Sequence, residues 1–114
     1  MNEDIALMQG IYNTYEMDWM GEVISNSSIL SRHHIKKKED GGEDDIKNYA
    51  LLTIDSHRFL NLIEEKYPKE YLVLNNMFLE LNKSSMPPSS EYFDEVHSIL
   101  KRVRKSIKNN KKRK

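Results

Sequence analysis

Three of the chain's four histidines fall within residues 31–61, as an adjacent pair, His33-His34, and a single His57. Asn48 lies between the pair and the single histidine, and Asn61 follows His57 by one helical turn. A histidine titrates near pH 6.5 in water, about the edge of the physiological range, so its neutral ring can ligate a cation or take a proton from water. Both abilities bear on phosphodiester hydrolysis. That reaction needs an activated water, stabilisation of charge at the phosphate, and help for the leaving oxygen. An imidazole base supplies the first and a single divalent cation the other two.

Such residues act only if other elements bring them together. Leu30 to Ile35 is a short stretch, apolar at its start and β-branched at its end, that suits a strand. Lys36 to Lys47 is charged and carries Gly41-Gly42, which reads as a loop with a tight turn. Tyr49 to Ile54 is a second apolar run of strand length. Asp55 or Ser56 could then cap a helix by accepting a hydrogen bond from its first turn. His57 and Asn61 stand at i and i+4, so both leave one face of that helix. Two strands and a helix would thus gather His33, His34, His57 and Asn61. Adjacent strand residues point to opposite faces, so His33 and His34 should diverge and serve different roles.

The order His-His, Gly-Gly loop, Asn, Ala-Leu-Leu strand and His-x-x-x-Asn helix resembles the HNH endonuclease motif, also called ββα-metal. The resemblance covers Leu30 to about Lys66, a third of the chain. It implies that His33 and His57 ligate one divalent metal ion and that His34 is the general base. It implies that Asn48 holds the loop that orients the base. The last position is His in some members and Asn in others; here it is Asn61, a weaker ligand that would bind directly or through water. Two imidazoles favour Zn²⁺, Ni²⁺ or Mn²⁺, whereas Mg²⁺ prefers oxygen donors, so the identity of the metal stays open. The products implied are a 5′-phosphate and a 3′-hydroxyl. Compact proteins of this kind are typical of phage and mobile elements, so a cytoplasmic setting in a bacterial or phage-infected cell is expected by analogy.

A chain of 114 residues is expected to form one domain. Its hydrophobic fraction of 38% and its ten aromatics, six of them Tyr, support a folded core. Cysteine is absent, which excludes disulfides and the Cys-x-x-Cys zinc staple found in some HNH proteins, so helices outside the motif must support it. No apolar run approaches membrane-spanning length, and Met-Asn-Glu-Asp does not open like a signal peptide. Lys plus Arg and Asp plus Glu both total 18, but the balance is uneven along the chain. Residues 101–114 hold nine basic side chains and no acidic ones. The rest carries nine basic against 18 acidic groups.

The expected fold is α+β and mostly helical, with a ββα-metal core at 29–67 and supporting helices on either side. Residues 2–17 read as a helix, with Ile5, Met8, Tyr12 and Tyr15 at helical spacing and Gly10 as a weak point. Residues 1–28 are the supporting helix and lead-in, with Trp19 as a core anchor. The motif helix should run to about Lys66, burying Phe59, Leu60 and Ile63, and Pro68 marks its end or a new start. Glu70 to Leu81 forms another helix with Leu74, Met77, Phe78 and Leu81 inward, and Lys83 to Ser90 is a connector. A last helix from about Ser90 has acidic Glu91, Asp94 and Glu95 at its start and basic residues at its end. Its stripe is Tyr92, Val96, Ile99, Val103 and Ile107, within a helical support of 68–108. Residues 109–114 read as a flexible basic tail.

His97 has no motif partner and reads as a surface histidine. Lys36, Lys37 and Lys38 are either a solvated loop or contacts to a nucleic-acid backbone. Arg58, beside His57, could meet a phosphate or support the fold. Arg104, Lys105 and Lys108 belong to a tail that is a solvated helix end, a contact to an acidic neighbouring copy, or a non-specific phosphate-binding surface. Taken together, the residues and the resemblance imply a divalent-metal-dependent endonuclease acting on DNA, to nick it or to cut both strands. A homodimer is one arrangement in which chains with a single site would cut both strands. The alternative is an HNH-like nucleic-acid-binding or regulatory protein that has lost the reaction.

Overall fold

Leu30–His34 and Tyr49–Thr53 pair as antiparallel strands β1 and β2, in register from Leu30 opposite Thr53 to His34 opposite Tyr49. All of β2 is buried, in keeping with its unbroken apolar run. The structure, a computed structural model, describes residues 3–112. In chain order it contains helix α1 (Glu3–Tyr12), β1, β2, helix α2 (Ile54–Lys66), helix α3 (Pro68–Ser84) and helix α4 (Ser90–Lys112). It is an α+β fold in which helix predominates.

The strand β2 runs into α2 with no connecting residue. Thr53 closes the strand and also caps the helix, its side chain accepting from the Ser56 N–H at 3.1 Å. The cap expected at Asp55 or Ser56 therefore lies earlier. The backbone turns helical at Ile54, and Ser56 is the donor in the capping bond. Leu60 and Ile63 are fully buried on the inner face of α2, with Phe59 partly buried beside them.

α1 is shorter than the helix expected over 2–17. Asn13 adopts a left-handed φ of 52°, a conformation Asn tolerates, and this ends the helix at Tyr12. Met8 and Tyr12 are buried, whereas Tyr15 is 55% exposed and lies beyond the stripe. Asn2 lies outside the described residues.

The lead-in is held by a fully buried carboxylate. Asp18 Oδ1 accepts from the Met20 and Glu22 N–H groups, both at 2.9 Å. Its Oδ2 accepts from the Thr53 N–H at 2.8 Å and the Thr53 hydroxyl at 3.0 Å. Next to it the Trp19 N–H donates to the Leu51 carbonyl at 3.0 Å, covering the side of β2 away from β1. Trp19 is fully buried and donates its indole N–H to Thr14 Oγ1.

Pro68 occupies the first turn of α3, where its missing N–H costs nothing. α3 thus begins before the expected Glu70, and it runs past Leu81 to Ser84, stopping where Ser85 turns left-handed at φ 51°. Leu74, Phe78 and Leu81 face the core. So do Val96, Ile99, Leu100 and Val103 of α4. The Ser89 hydroxyl accepts from the Tyr92 N–H in the first turn of α4. The tail expected to be flexible from residue 109 is helical through Lys112, since no helix breaker intervenes and lysines suit a helix C-terminus. Arg113 and Lys114 lie outside the described residues. Among the described residues no helix is long and apolar enough to cross a membrane.

Candidate functional site

The hairpin presents the histidine pair on opposite faces, as alternation requires. His33 faces inward and is 7% exposed, among the rings of His57, Tyr71 and Phe78. His34 lies over the other face, edge-on to the Tyr49 ring at 5.2 Å. Both border one cleft of about 250 Å³, together with Arg32, Lys37, Lys38, His57, Asn61, Glu64 and Tyr71.

Hydrogen bonds from neighbouring elements fix which nitrogen of each ring carries the proton. Asn75 of α3 donates its Nδ2 to the Ile35 carbonyl at 2.7 Å, which turns its Oδ1 toward His33 Nε2 at 2.9 Å. Since Oδ1 only accepts, His33 Nε2 is the donor and Nδ1 keeps the lone pair. Ser31 donates its hydroxyl to the Leu52 carbonyl at 3.1 Å and accepts from His57 Nδ1 at 2.9 Å. His57 Nε2 is then its lone-pair nitrogen. His34 Nε2 donates to Asp44 Oδ1 at 2.6 Å, leaving Nδ1 as its basic nitrogen.

Burial, more than any other cause, lowers the pKa of His33 to about 4; the Asn75 hydrogen bond pulls the other way, and neighbouring His57 adds to the lowering. Burial also lowers the pKa of His57, helped by His34. The Lys38 contact, with His34 second, holds the Asp44 carboxyl down at about 2. At neutral pH, then, His33 and His57 are neutral bases and Asp44 is an anion.

Neutral imidazole nitrogens are donors of the type that divalent cations take. The His33 and His57 ring centroids are 5.7 Å apart and nearly perpendicular. Two imidazoles on one tetrahedral ion, with metal–nitrogen bonds of about 2.0–2.1 Å, have centroids roughly 5 Å apart, somewhat closer than these. Among the described residues no group of three or more His, Cys, Asp and Glu side chains is arranged to hold a metal ion. Further ligands would come from Asn61, solvent or a phosphate oxygen.

Asn48 sits behind the cleft and clamps the loop. Its Oδ1 accepts from the Lys36 N–H at 2.8 Å, and its Nδ2 donates to the Lys36 carbonyl at 2.8 Å and the Glu43 carbonyl at 3.0 Å. The glycine pair makes this possible. Gly41 is left-handed at φ 91°, and a Cβ on Gly42 would lie 1.8 Å from the Lys36 carbonyl oxygen. The loop reaches His34 through Asp44.

Two of the three loop lysines are ion-paired. Lys37 Nζ meets Glu64 Oε2 at 2.5 Å and Lys38 Nζ meets Asp44 Oδ2 at 2.7 Å. Lys36 borders an adjoining groove with Asn48, Asn75 and Leu72. The structure does not bring Arg58, Arg104, Lys105 or Lys108 to the cleft. Arg58 is exposed on α2, and the Arg104 guanidinium lies 5.1 Å from the Phe59 ring centroid in a separate depression. Arg32 was not anticipated at the cleft; it stacks 5.1 Å from the Tyr49 ring centroid and approaches Asp4 at 3.5 Å.

Sequence reasoning also passed over Ser31, Asp44, Glu64 and Asn75. Asn75 did leave a signal, because with Asn82 it interrupts the inward stripe of α3 formed by Tyr71, Leu74, Phe78 and Leu81. A polar residue in such a stripe requires a buried partner. Asn82 meets the requirement by donating to the Ile46 and Tyr49 carbonyls.

No protein-family model matches this chain, no curated protein matches its sequence, and no solved structure matches its fold.

Proposed function

We propose that the protein is a divalent-metal-dependent endonuclease of HNH type that hydrolyses DNA phosphodiester bonds. The observation that carries this reading is the shared cleft of His33, His34 and His57, in which each ring has one nitrogen committed to a neighbour and one left basic. His33 and His57 would hold the ion, with Asn61 beside them. When bound, the cation supplies charge stabilisation at the phosphate and the leaving oxygen.

The chain's own residues do the rest. His34 takes a proton from the attacking water at Nδ1, while Asp44 accepts its Nε2–H and steadies the ring. This carboxylate–imidazole arrangement follows the logic of an oriented general base. Asn48 holds the loop that delivers Asp44. Lys37 and Lys38 border the cleft and would meet phosphate oxygens, and Arg58, Arg104, Lys105 and Lys108 would add sequence-independent attraction for the backbone.

The test is nicking of supercoiled plasmid with Mg²⁺, Mn²⁺, Ni²⁺ or Zn²⁺ and with chelator. Relaxation that needs metal and is abolished in His34→Ala, with fold and metal binding intact, is the expected result. Among the described residues no three-donor group of His, Cys, Asp or Glu is arranged for a metal, which favours a second reading, a nucleic-acid-binding or regulatory protein without the reaction. Retarded but uncut plasmid under every metal would establish that reading instead.

A further inference from the structure

The resemblance ends near Lys66, yet one atom of α3 reaches the centre of the cleft. We infer that Asn75 is a positioning residue, which holds the ring proton of His33 on Nε2 and so presents Nδ1 to the cation as a bare nitrogen. The inference rests on the reading of the cleft as a metal site.

Three observations carry it. First, the orientation of the Asn75 amide is fixed, because Nδ2 donates to the Ile35 carbonyl at 2.7 Å and only Oδ1 remains for His33. The backbone residue that receives this bond is two positions beyond His33, so one side chain secures both the strand end and the ring. Second, Nδ1 of His33 is not sealed in. Among the described residues no fully buried side-chain nitrogen or oxygen lacks a hydrogen-bond partner, and His33 Nδ1 makes no hydrogen bond. It is therefore not wholly enclosed, and His33 lines the cleft it shares with His57. Third, His57 is arranged in the same way by Ser31, which comes from β1 itself. Each candidate ligand has its spare N–H tied by a group with a fixed orientation, as ligating histidines generally require.

Removing the Asn75 acceptor would leave the Nε2–H of a ring that is only 7% exposed without its partner. Burying an unpartnered donor is unfavourable, so the proton would move to Nδ1, where the cleft offers water. The nitrogen needed for ligation would then be blocked.

The experiment compares the full chain with Asn75→Leu and Asn75→Asp. Long-range ¹H–¹⁵N spectra of the metal-free proteins at neutral pH report which His33 nitrogen is protonated, and Zn²⁺ affinity is measured by competition with a chromophoric chelator. In the unaltered chain the proton is expected on Nε2. Asn75→Leu should move it to Nδ1 and weaken Zn²⁺ binding by about 10- to 100-fold. Asn75→Asp keeps an acceptor for His33 but gives up the bond to the Ile35 carbonyl, so it should keep the Nε2 proton and bind Zn²⁺ more tightly than Asn75→Leu. A proton on Nδ1 in the unaltered chain overturns the inference, as does Asn75→Leu with unchanged tautomer and affinity. If Asn75→Leu does not fold, the unaltered chain and Asn75→Asp still decide, since a proton displaced to Nδ1 in either one refutes it. An unaltered chain with the Nε2 proton and no Zn²⁺ binding overturns the metal reading alone, so the two failures are distinguishable.

Discussion

Asn48 and Lys36 hydrogen-bond in both directions, the Lys36 N–H to Asn48 Oδ1 and Asn48 Nδ2 to the Lys36 carbonyl, each at 2.8 Å. A side-chain amide here mimics a strand partner for a backbone that has left β1. Asn48→Ala removes both bonds and a third to Glu43. The loss in stability is expected to be about 1–3 kcal/mol by urea unfolding, because the site is half-exposed and water replaces part of what is lost. Plasmid nicking should fall further than stability does, since Asp44 travels with the loop. Nicking that only tracks the folded fraction would show that the clamp is purely structural.

Two glycine substitutions should act in opposite directions. A Cβ at Gly42 would lie 1.8 Å from the Lys36 oxygen and 2.9 Å from Asn48 Nδ2, so Gly42→Ala must displace backbone and break the clamp. A Cβ at Gly10 meets nothing within 4 Å, in a helix where alanine is preferred. Gly10→Ala should raise stability by up to about 1 kcal/mol, whereas Gly42→Ala lowers it. Melting temperatures of the two variants check this, and equal shifts would refute it.

His33 makes the metal-free fold sensitive to acid. Its pKa is about 4 when folded, against 6.5 in the open chain, so between these values the unfolded state binds a proton that the folded ring refuses. The contribution is complete above pH 6.5, declines as pH falls toward 4, and is constant below that. The shift corresponds to about 3 kcal/mol. Urea titrations in chelator from about pH 7 to about pH 4 should show this decline, with a much weaker one in His33→Gln. Equal declines would place the sensitivity elsewhere.

Glu64 holds Lys37 at 2.5 Å and competes with any phosphate for that cation. Glu64→Gln should release the lysine and tighten binding to a short DNA duplex. It should also steepen the salt dependence by roughly one charge. Fluorescence anisotropy in chelator over a salt series measures both, and unchanged affinity would mean that Lys37 does not face the nucleic acid.

Asp18 is buried with four donors and no cation beside it in that network. Asp18→Asn turns an NH₂ toward backbone N–H groups that only donate, leaving the Thr53 hydroxyl as the one group of the four able to accept. The expected loss is about 3 kcal/mol, read as a lower urea midpoint. A loss well under about 1 kcal/mol would mean that the segment re-pairs without its carboxylate.

The hairpin and α2 were legible in the sequence because a turn signal separates two segments of strand length and the second, an apolar run, leads into a helical stripe. The inward residues of the three long helices were legible for the same reason, since periodicity records burial. Other features were not. Thr53 is both the last residue of β2 and the cap of α2, and no local pattern marks a residue with two duties. Asp18 reads as a surface acid until its four donors are brought to it from residues 20, 22 and 53. Asp44 is one of three consecutive acidic residues, and only the three-dimensional path of the loop selects it. Asn75 is 42 positions from His33, a pairing that periodicity cannot supply.

The segment from β1 to α2 is not a portable cassette. Asp18 grips its strand-to-helix junction from before it, and Asn75 and Asn82 hold its carbonyls and one histidine from after it. Transplanted alone into another scaffold, residues 29–67 would arrive with these groups unanswered and the imidazoles free to rotate. A recipient designed to host this chemistry would have to supply an acid at the junction and an amide beneath the first histidine before any ion was added.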